Sequence, residues 1–199
     1  MARRVKPRQG KDDHVEVIST HDEPRTIFLI GDIDESTTRA TIEQLFTMAE
    51  SGPKKHIYLV ISSYGGSVHD AFCIYDAMKC ITAPVRTVGL GKIMSAGVLL
   101  LAAGEKGKRR LGRRAQIMYH AGWSENIGTA FEMKSYVKQF EREEMLYDEC
   151  MAAETGQTVE AIRALYVCED AKGNETTLPD RYIGPDEALK LGIVDEIVG

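Results

Sequence analysis

Cysteine is scarce in this chain and carries no pattern. The 199 residues hold four, Cys73, Cys80, Cys150 and Cys168, with no Cys-x-x-Cys pair and no histidine at metal-ligand spacing. Cys73 and Cys80 are seven positions apart on a predicted helix, about 10 Å along its axis, too far for a disulfide. Buried free thiols in a reducing compartment are expected, and neither a metal nor a cofactor. No window approaches eighteen consecutive apolar residues, which excludes a membrane-spanning helix. The basic start, MARRVKPRQGKDD, runs into no apolar signal-peptide core, so the cytoplasm is the expected compartment. Positive charge is in deficit, with a net charge of −5, and this disfavours binding to nucleic acid through the overall field. Two local basic runs, Arg3, Arg4, Lys6, Arg8 and Lys11, then Lys106, Lys108, Arg109, Arg110, Arg113 and Arg114, read as a solvated tail and a charged loop. A nucleotide-binding P-loop is missing too. GLGK and GEKGK have Arg86 and Ala102 where the motif's first glycine would stand.

What remains is 43% hydrophobic, enough for one sizeable core. Residues 1–25 read as a basic, flexible segment and residues 26–199 as one domain. The run from Thr26 to Gly31, continuous and apolar, predicts a strand covered on both faces. Asp34 or Ser36 caps the helix that follows, and Ser51-Gly52-Pro53 stops it. The pattern then repeats: a strand from His56 to Ile61 leads through SSYGG into a helix with Val68, Ala71, Phe72, Tyr75 and Met78. A third strand from Val85 to Leu90 leads into a helix opening near Ser95. A fourth, from Ala115 to His120, precedes a long helical pattern from Thr129 to Thr155. A short helix from Thr158 to Val167, a polar loop CEDAKGNETTLPD, a small helix from Pro185 to Leu191 and a last strand from Ile193 to Val198 complete the order. Alternating strands and helices imply an α/β fold with a mostly parallel sheet and ligand sites at the carboxyl ends of its strands.

Three turns lie at such ends: Ser62-Ser-Tyr-Gly-Gly66, Gly91 to Ser95, and His120-Ala-Gly122. The glycine pair lets backbone come close where helix amides favour developing negative charge. Ser95 sits in the first turn of an apolar helix, where the amide of Ala96 lacks a helical partner and is free to donate to an oxyanion. A serine at a helix start is ordinarily a cap. A nucleophilic role needs a base, and His120, ending the neighbouring strand, is the candidate. The other histidines are placed less well: His14 and His21 in the tail, His56 at the far end of a strand, His69 within a helix. A third group, a carboxylate that orients the imidazole, is sought among Asp170, Asp180, Asp186 and Asp195, between which spacing does not choose.

The blocks ISSYGGSVHDAFCIYDAMK, GKIMSAGVLLLAAGEKGKR, IMYHAGW and DRYIGPDEALKLGIVDEI, in that order, resemble the ClpP family, the serine-protease subunits of the ATP-dependent Clp protease. The likeness runs from about Thr26 to the end, and the intervals of 29 positions from Gly66 to Ser95 and 25 from Ser95 to His120 match the family's. The resemblance implies Ser95 as nucleophile, His120 as general base, Asp180 as orienting acid, and Gly66 and Ala96 as the oxyanion amides. It implies a ClpP/crotonase-like spiral of βα units with a long protruding helix. It also implies two stacked heptameric rings, with the helix from Thr129 to Thr155, bearing Phe131, Val137, Phe140, Met145 and Met151, between them, and a separate AAA+ unfoldase feeding protein or peptide substrates. The chain departs from the pattern at Tyr64, Ala96 and Ala121-Gly-Trp123, and its segment before Asp180 is longer, which suggests a gate beside the triad. A non-catalytic ring subunit and a crotonase-like acyl-CoA enzyme are the rival readings.

Overall fold

The structure, a computed structural model, describes residues 25–199. The expected basic tail therefore lies outside the described residues except for Arg25, whose guanidinium fans out to the carbonyls of Gly52, Lys55 and His56 and the hydroxyl of Ser51.

Strand β1 (Thr26–Ile33), helix α1 (Glu35–Ser51), strand β2 (Ile57–Gly66), helix α2 (Val68–Cys80), strand β3 (Val85–Met94) and helix α3 (Ala96–Ala102) follow the predicted alternation. Strands β1, β2 and β3 pair in parallel in chain order, as crossover helices require. Asp34 caps α1 through a capping box with Thr37, and Ser67 caps α2. Contrary to the expectation of a strand covered on both faces, β1 is the sheet edge and buries only one: Ile27, Leu29 and Ile33 are in the core, while Phe28 is 63% and Ile30 61% exposed.

β3 does two jobs. Its first half pairs with a short strand β4 (Arg110–Gly112), and its end, Lys92 to Met94, pairs with β5 (Gln116–Tyr119). The bend between them falls at Gly91, at φ +69, a conformation that glycine adopts without strain. The sequence pattern does not reveal β4, because its residues sit in the basic cluster. That cluster is only partly solvated: Arg109 is 4% exposed and donates to Asp195 and to the carbonyls of Ala102 and Glu154.

Beyond β5 runs helix α4 (Ala130–Thr155), 26 residues, started by a Thr129/Glu132 capping box and ended by Gly156 at φ 77. Its C-terminal half packs into the core, with Met151 fully buried, whereas Phe131, Val137 and Met145 in the rest are exposed. Of the five apolar residues expected to face outward, Met151 is thus spent inside the protomer and Phe140 is half-buried. The predicted helix from Thr158 to Val167 is shorter, α5 (Val159–Arg163), and the predicted loop after it is a hairpin, β6 (Val167–Glu169) against β7 (Glu175–Thr177). Asp170 makes its turn, accepting from the amides of Lys172 and Asn174, and Gly173 takes a φ of +80. Strand β8 (Arg181–Ile183) then runs antiparallel to β5, followed by α6 (Pro185–Lys190) and β9 (Glu196–Val198), which pairs with β4. The seven-stranded sheet with helices around it and the long α4 is the α/β fold expected. The cysteines are free as expected but not buried: Cys73 and Cys80 are exposed, Cys150 and Cys168 half-buried. Among the described residues no helix is long and apolar enough to cross a membrane.

Candidate active site

Ser95 is not acting as a helix cap. Its side chain makes no capping bond to α3, and its Oγ lies instead 2.8 Å from Nε2 of His120. The backbone explains the diversion. Ser95 has φ 51 and ψ −128, and it is the one non-glycine residue with positive φ among those described. A strained residue of this kind costs of the order of 1 to 3 kcal/mol and persists only where its surroundings hold it. Here they do: the Ser95 amide donates to Met118 O of β5 at 2.9 Å, and the Ser95 carbonyl accepts from Val98 N at 2.9 Å and from the Tyr147 hydroxyl at 3.0 Å. The sharp strand-to-helix turn thrusts the hydroxyl off the end of β3, toward the histidine that directly follows β5.

The glycine pair supports the same turn from below. A Cβ on Gly65 would sit 2.6 Å from Cβ of Ser95 and 2.9 Å from Met94 O, so only glycine lets β2 pass beneath the serine. Gly66, at φ +149, would drive a Cβ into Ile33 O at 2.2 Å. Gly66 and Ala96 both border the cavity at Ser95, and Ala96 opens α3, where its amide has no partner within the helix. An amide there can donate to a negative oxygen forming above Ser95.

Asp180 stands apart from this pair. It is exposed, and among the described residues it makes no hydrogen bond to His120. Its place in the sheet is nonetheless informative. β5 and β8 pair Ile117 with Ile183, Met118 with Tyr182 and Tyr119 with Arg181, so the next step of the register sets His120 against Asp180.

The cavity over the pair has a volume of about 490 Å³. One face of α4 forms its far wall with Tyr136, Phe140, Glu143, Glu144 and Tyr147, and Glu144 also accepts the amide of Gly122 at 3.0 Å. The sequence pattern points to none of these as site residues, and the resemblance assigns Phe140 to a contact between rings, although their spacing, four then three or four positions, marks one stripe of a helix. His69, unpromising by its place within a helix, borders the same cavity and lies 3.3 Å from Glu143. Beneath Ser95, Tyr119, Tyr147 and Tyr166 cluster with Asp148, whose Oδ2 accepts from the Tyr166 hydroxyl at 2.6 Å. Burial raises all three phenols above their ordinary range, so Tyr147 stays a hydroxyl donor to the serine carbonyl. Burial also pushes the Asp148 carboxyl up, against the hydrogen bond from Tyr166. Among the described residues no group of three histidine, cysteine or acidic side chains is placed to hold a metal ion.

Comparison with known proteins gives the same direction. The family model described as "Clp protease" matches residues 9–199. The ATP-dependent Clp protease proteolytic subunit 3 of Rhodococcus jostii (strain RHA1) is 37% identical over 174 residues, which cover 87% of this chain and 81% of that protein. A match over nearly the whole chain, together with the parallel sheet and the long α4, shows that the chain belongs to the Clp protease family of proteolytic subunits.

Proposed function

We propose that this chain is a serine endopeptidase in which Ser95 is the nucleophile, His120 its general base and Asp180 the carboxylate that orients the imidazole. The observation that carries the reading is the 2.8 Å contact between His120 Nε2 and Ser95 Oγ, made by a serine held in a strained turn. His120 takes the hydroxyl proton as Oγ bonds to the substrate carbonyl carbon, and the carbonyl oxygen becomes the oxyanion, received by the amides of Gly66 and Ala96. The histidine then hands its proton to the leaving amine as the C–N bond breaks, leaving an acyl-enzyme. Water, deprotonated by the same histidine, releases the acid product.

The setting that the family resemblance implies is two stacked heptameric rings closing a chamber, with the exposed half of α4 between rings, and unfolded protein or peptides delivered by a separate AAA+ unfoldase, the sequence having no P-loop of its own. Phe131, Val137 and Met145, exposed on the protomer, are the apolar side chains that such a contact would cover. The cytoplasm is the compartment that fits this role. A CoA-dependent enzyme of similar fold would have no use for a histidine-paired serine.

A fluorophosphonate probe tests the proposal directly. Intact mass should show one adduct per chain, mapped to Ser95 and absent from Ser95→Ala, and His120→Ala should lose peptidase turnover by roughly six orders of magnitude, because nucleophile and base act as a unit. A chain that cleaves peptides but acquires no adduct at Ser95 would send the reading back to another nucleophile.

A further inference from the structure

The cavity that Ser95 opens into is acidic, and this has a consequence for substrate choice. We propose that it receives a cationic side chain, lysine or arginine, from the residue whose carbonyl Ser95 attacks, and that Glu143 is the carboxylate that selects it. The inference rests on the serine-peptidase reading and adds the substrate class.

Two observations carry it. The residues lining the cavity include Glu143 and Glu144 but no lysine or arginine among the described residues. The Glu143 side chain is only 15% exposed, and its partners, Gln139 Nε2 at 2.8 Å and His69 Nε2 at 3.3 Å, both use Oε1, leaving Oε2 without a protein partner among the described residues. A largely buried carboxylate with one oxygen unpartnered is a costly arrangement for a cavity meant to take a leucine. A terminal ammonium or guanidinium supplies the missing donor, and its aliphatic stem has Val68 and Phe140 to lie against. The selection works in both directions, because a neutral side chain would strip water from Glu143 and give nothing back.

The test uses two peptides identical except for lysine or norleucine at the attacked residue, which match in length and differ in charge. Binding is measured first, on full-length Ser95→Ala, so that chemistry plays no part. The lysine peptide should bind roughly ten- to a hundredfold more tightly, the range of a hydrogen bond to a charged group. Adding Glu143→Gln, which keeps the Gln139 and His69 contacts within reach, should bring the two peptides to within about threefold, and Glu143→Lys should turn the preference toward a glutamate peptide. Equal or tighter binding of the norleucine peptide overturns the proposal, as does failure of both peptides to bind or a preference that survives Glu143→Gln. Hydrolysis of the same peptides by the chain with Ser95 intact is scored separately: a lysine peptide that is bound selectively but never cleaved would sink the peptidase reading and leave the cationic site standing.

Discussion

Gly65→Ala puts the whole geometry of the nucleophile to one test. Gly65 has φ +100, and the added methyl would meet Ser95 Cβ at 2.6 Å, Met94 O at 2.9 Å and Ala96 N at 3.2 Å. Two of those atoms are backbone and have no rotamer by which to leave. Gly31 offers the matched control: its φ is +103, nearly the same, and nothing lies within 4 Å of the point where a methyl would stand. Gly31→Ala should therefore lose only the conformational term, about 1 to 2 kcal/mol. Gly65→Ala adds overpacking of about 1 to 3 kcal/mol, for a total of roughly 2 to 5 kcal/mol, a large share of a domain's usual stability. Relief by sliding Ser95 away would break the 2.8 Å contact with His120, and a shift of about 1 Å costs of the order of a hundredfold in rate. Denaturant unfolding gives the first quantity and the rate of fluorophosphonate acylation the second. If Gly65→Ala is no less stable than Gly31→Ala and acylates at the wild-type rate, the glycine is not what lets the serine stand where it does.

Two further outcomes follow from the surrounding contacts. Asp180→Asn should lower peptidase kcat by about four orders of magnitude while leaving the fold intact, since the role assigned to it is to hold a tautomer and steady an imidazolium; unchanged turnover would remove it from the mechanism. Asp195 is pushed up by burial, but hydrogen bonds from the Arg109 side chain and amide and from the Gly107 amide outweigh this and hold its carboxyl below the ordinary 3.8. A carboxyl depressed on folding stabilises the protein above its unfolded pKa, so that stability is complete above about pH 5 and drains away as the pH falls through and below 3.8. Asp195→Ala strands the buried Arg109 and should cost on the order of 3 kcal/mol at pH 7, with a shallower loss of thermal stability in acid than the parent shows.

The parts of the fold written in short-range pattern are legible: three βα units, a cap at Asp34 or Ser36 that the structure assigns to Asp34, the start of the long helix near Thr129, and the positions of Ser95 and His120 at the ends of neighbouring strands. Long-range pairing is not. β4 could not be read from KGKRRLGRR because its strand character comes from lying between β3 and β9, and Arg109 is buried only because Asp195, 86 residues later, meets it. The hairpin of β6 and β7 looked like a loop because both strands are three residues long and β7 is wholly exposed, which erases the alternation that marks a half-buried strand. The far wall of the cavity at Ser95 is not legible for a different reason. Glu143, Glu144 and Tyr147 lie inside a charged amphipathic helix, where the pattern reports a face but not what that face looks onto.

The choice of a third catalytic group shows how topology narrows what spacing leaves open. Of the four carboxylates in contention, Asp170 is occupied by its own turn, Asp195 by Arg109, and Asp186 sits in the first turn of α6. Only Asp180 falls in the register of the strand that ends in His120. Were the β5 and β8 ladder one step longer, the two residues would face each other with Cβ atoms about 5 Å apart on one side of the sheet, a span that a carboxylate and an imidazole bridge. The ladder ends at the pair of Tyr119 and Arg181, and before Asp180 stands Pro179, which has no amide to donate, preceded by Leu178, whose amide is tied to Tyr166 O at 2.8 Å. Asp180 thus lies between β8 and the hairpin of β6 and β7, itself fastened to α5 by the pair of Arg163 and Glu175.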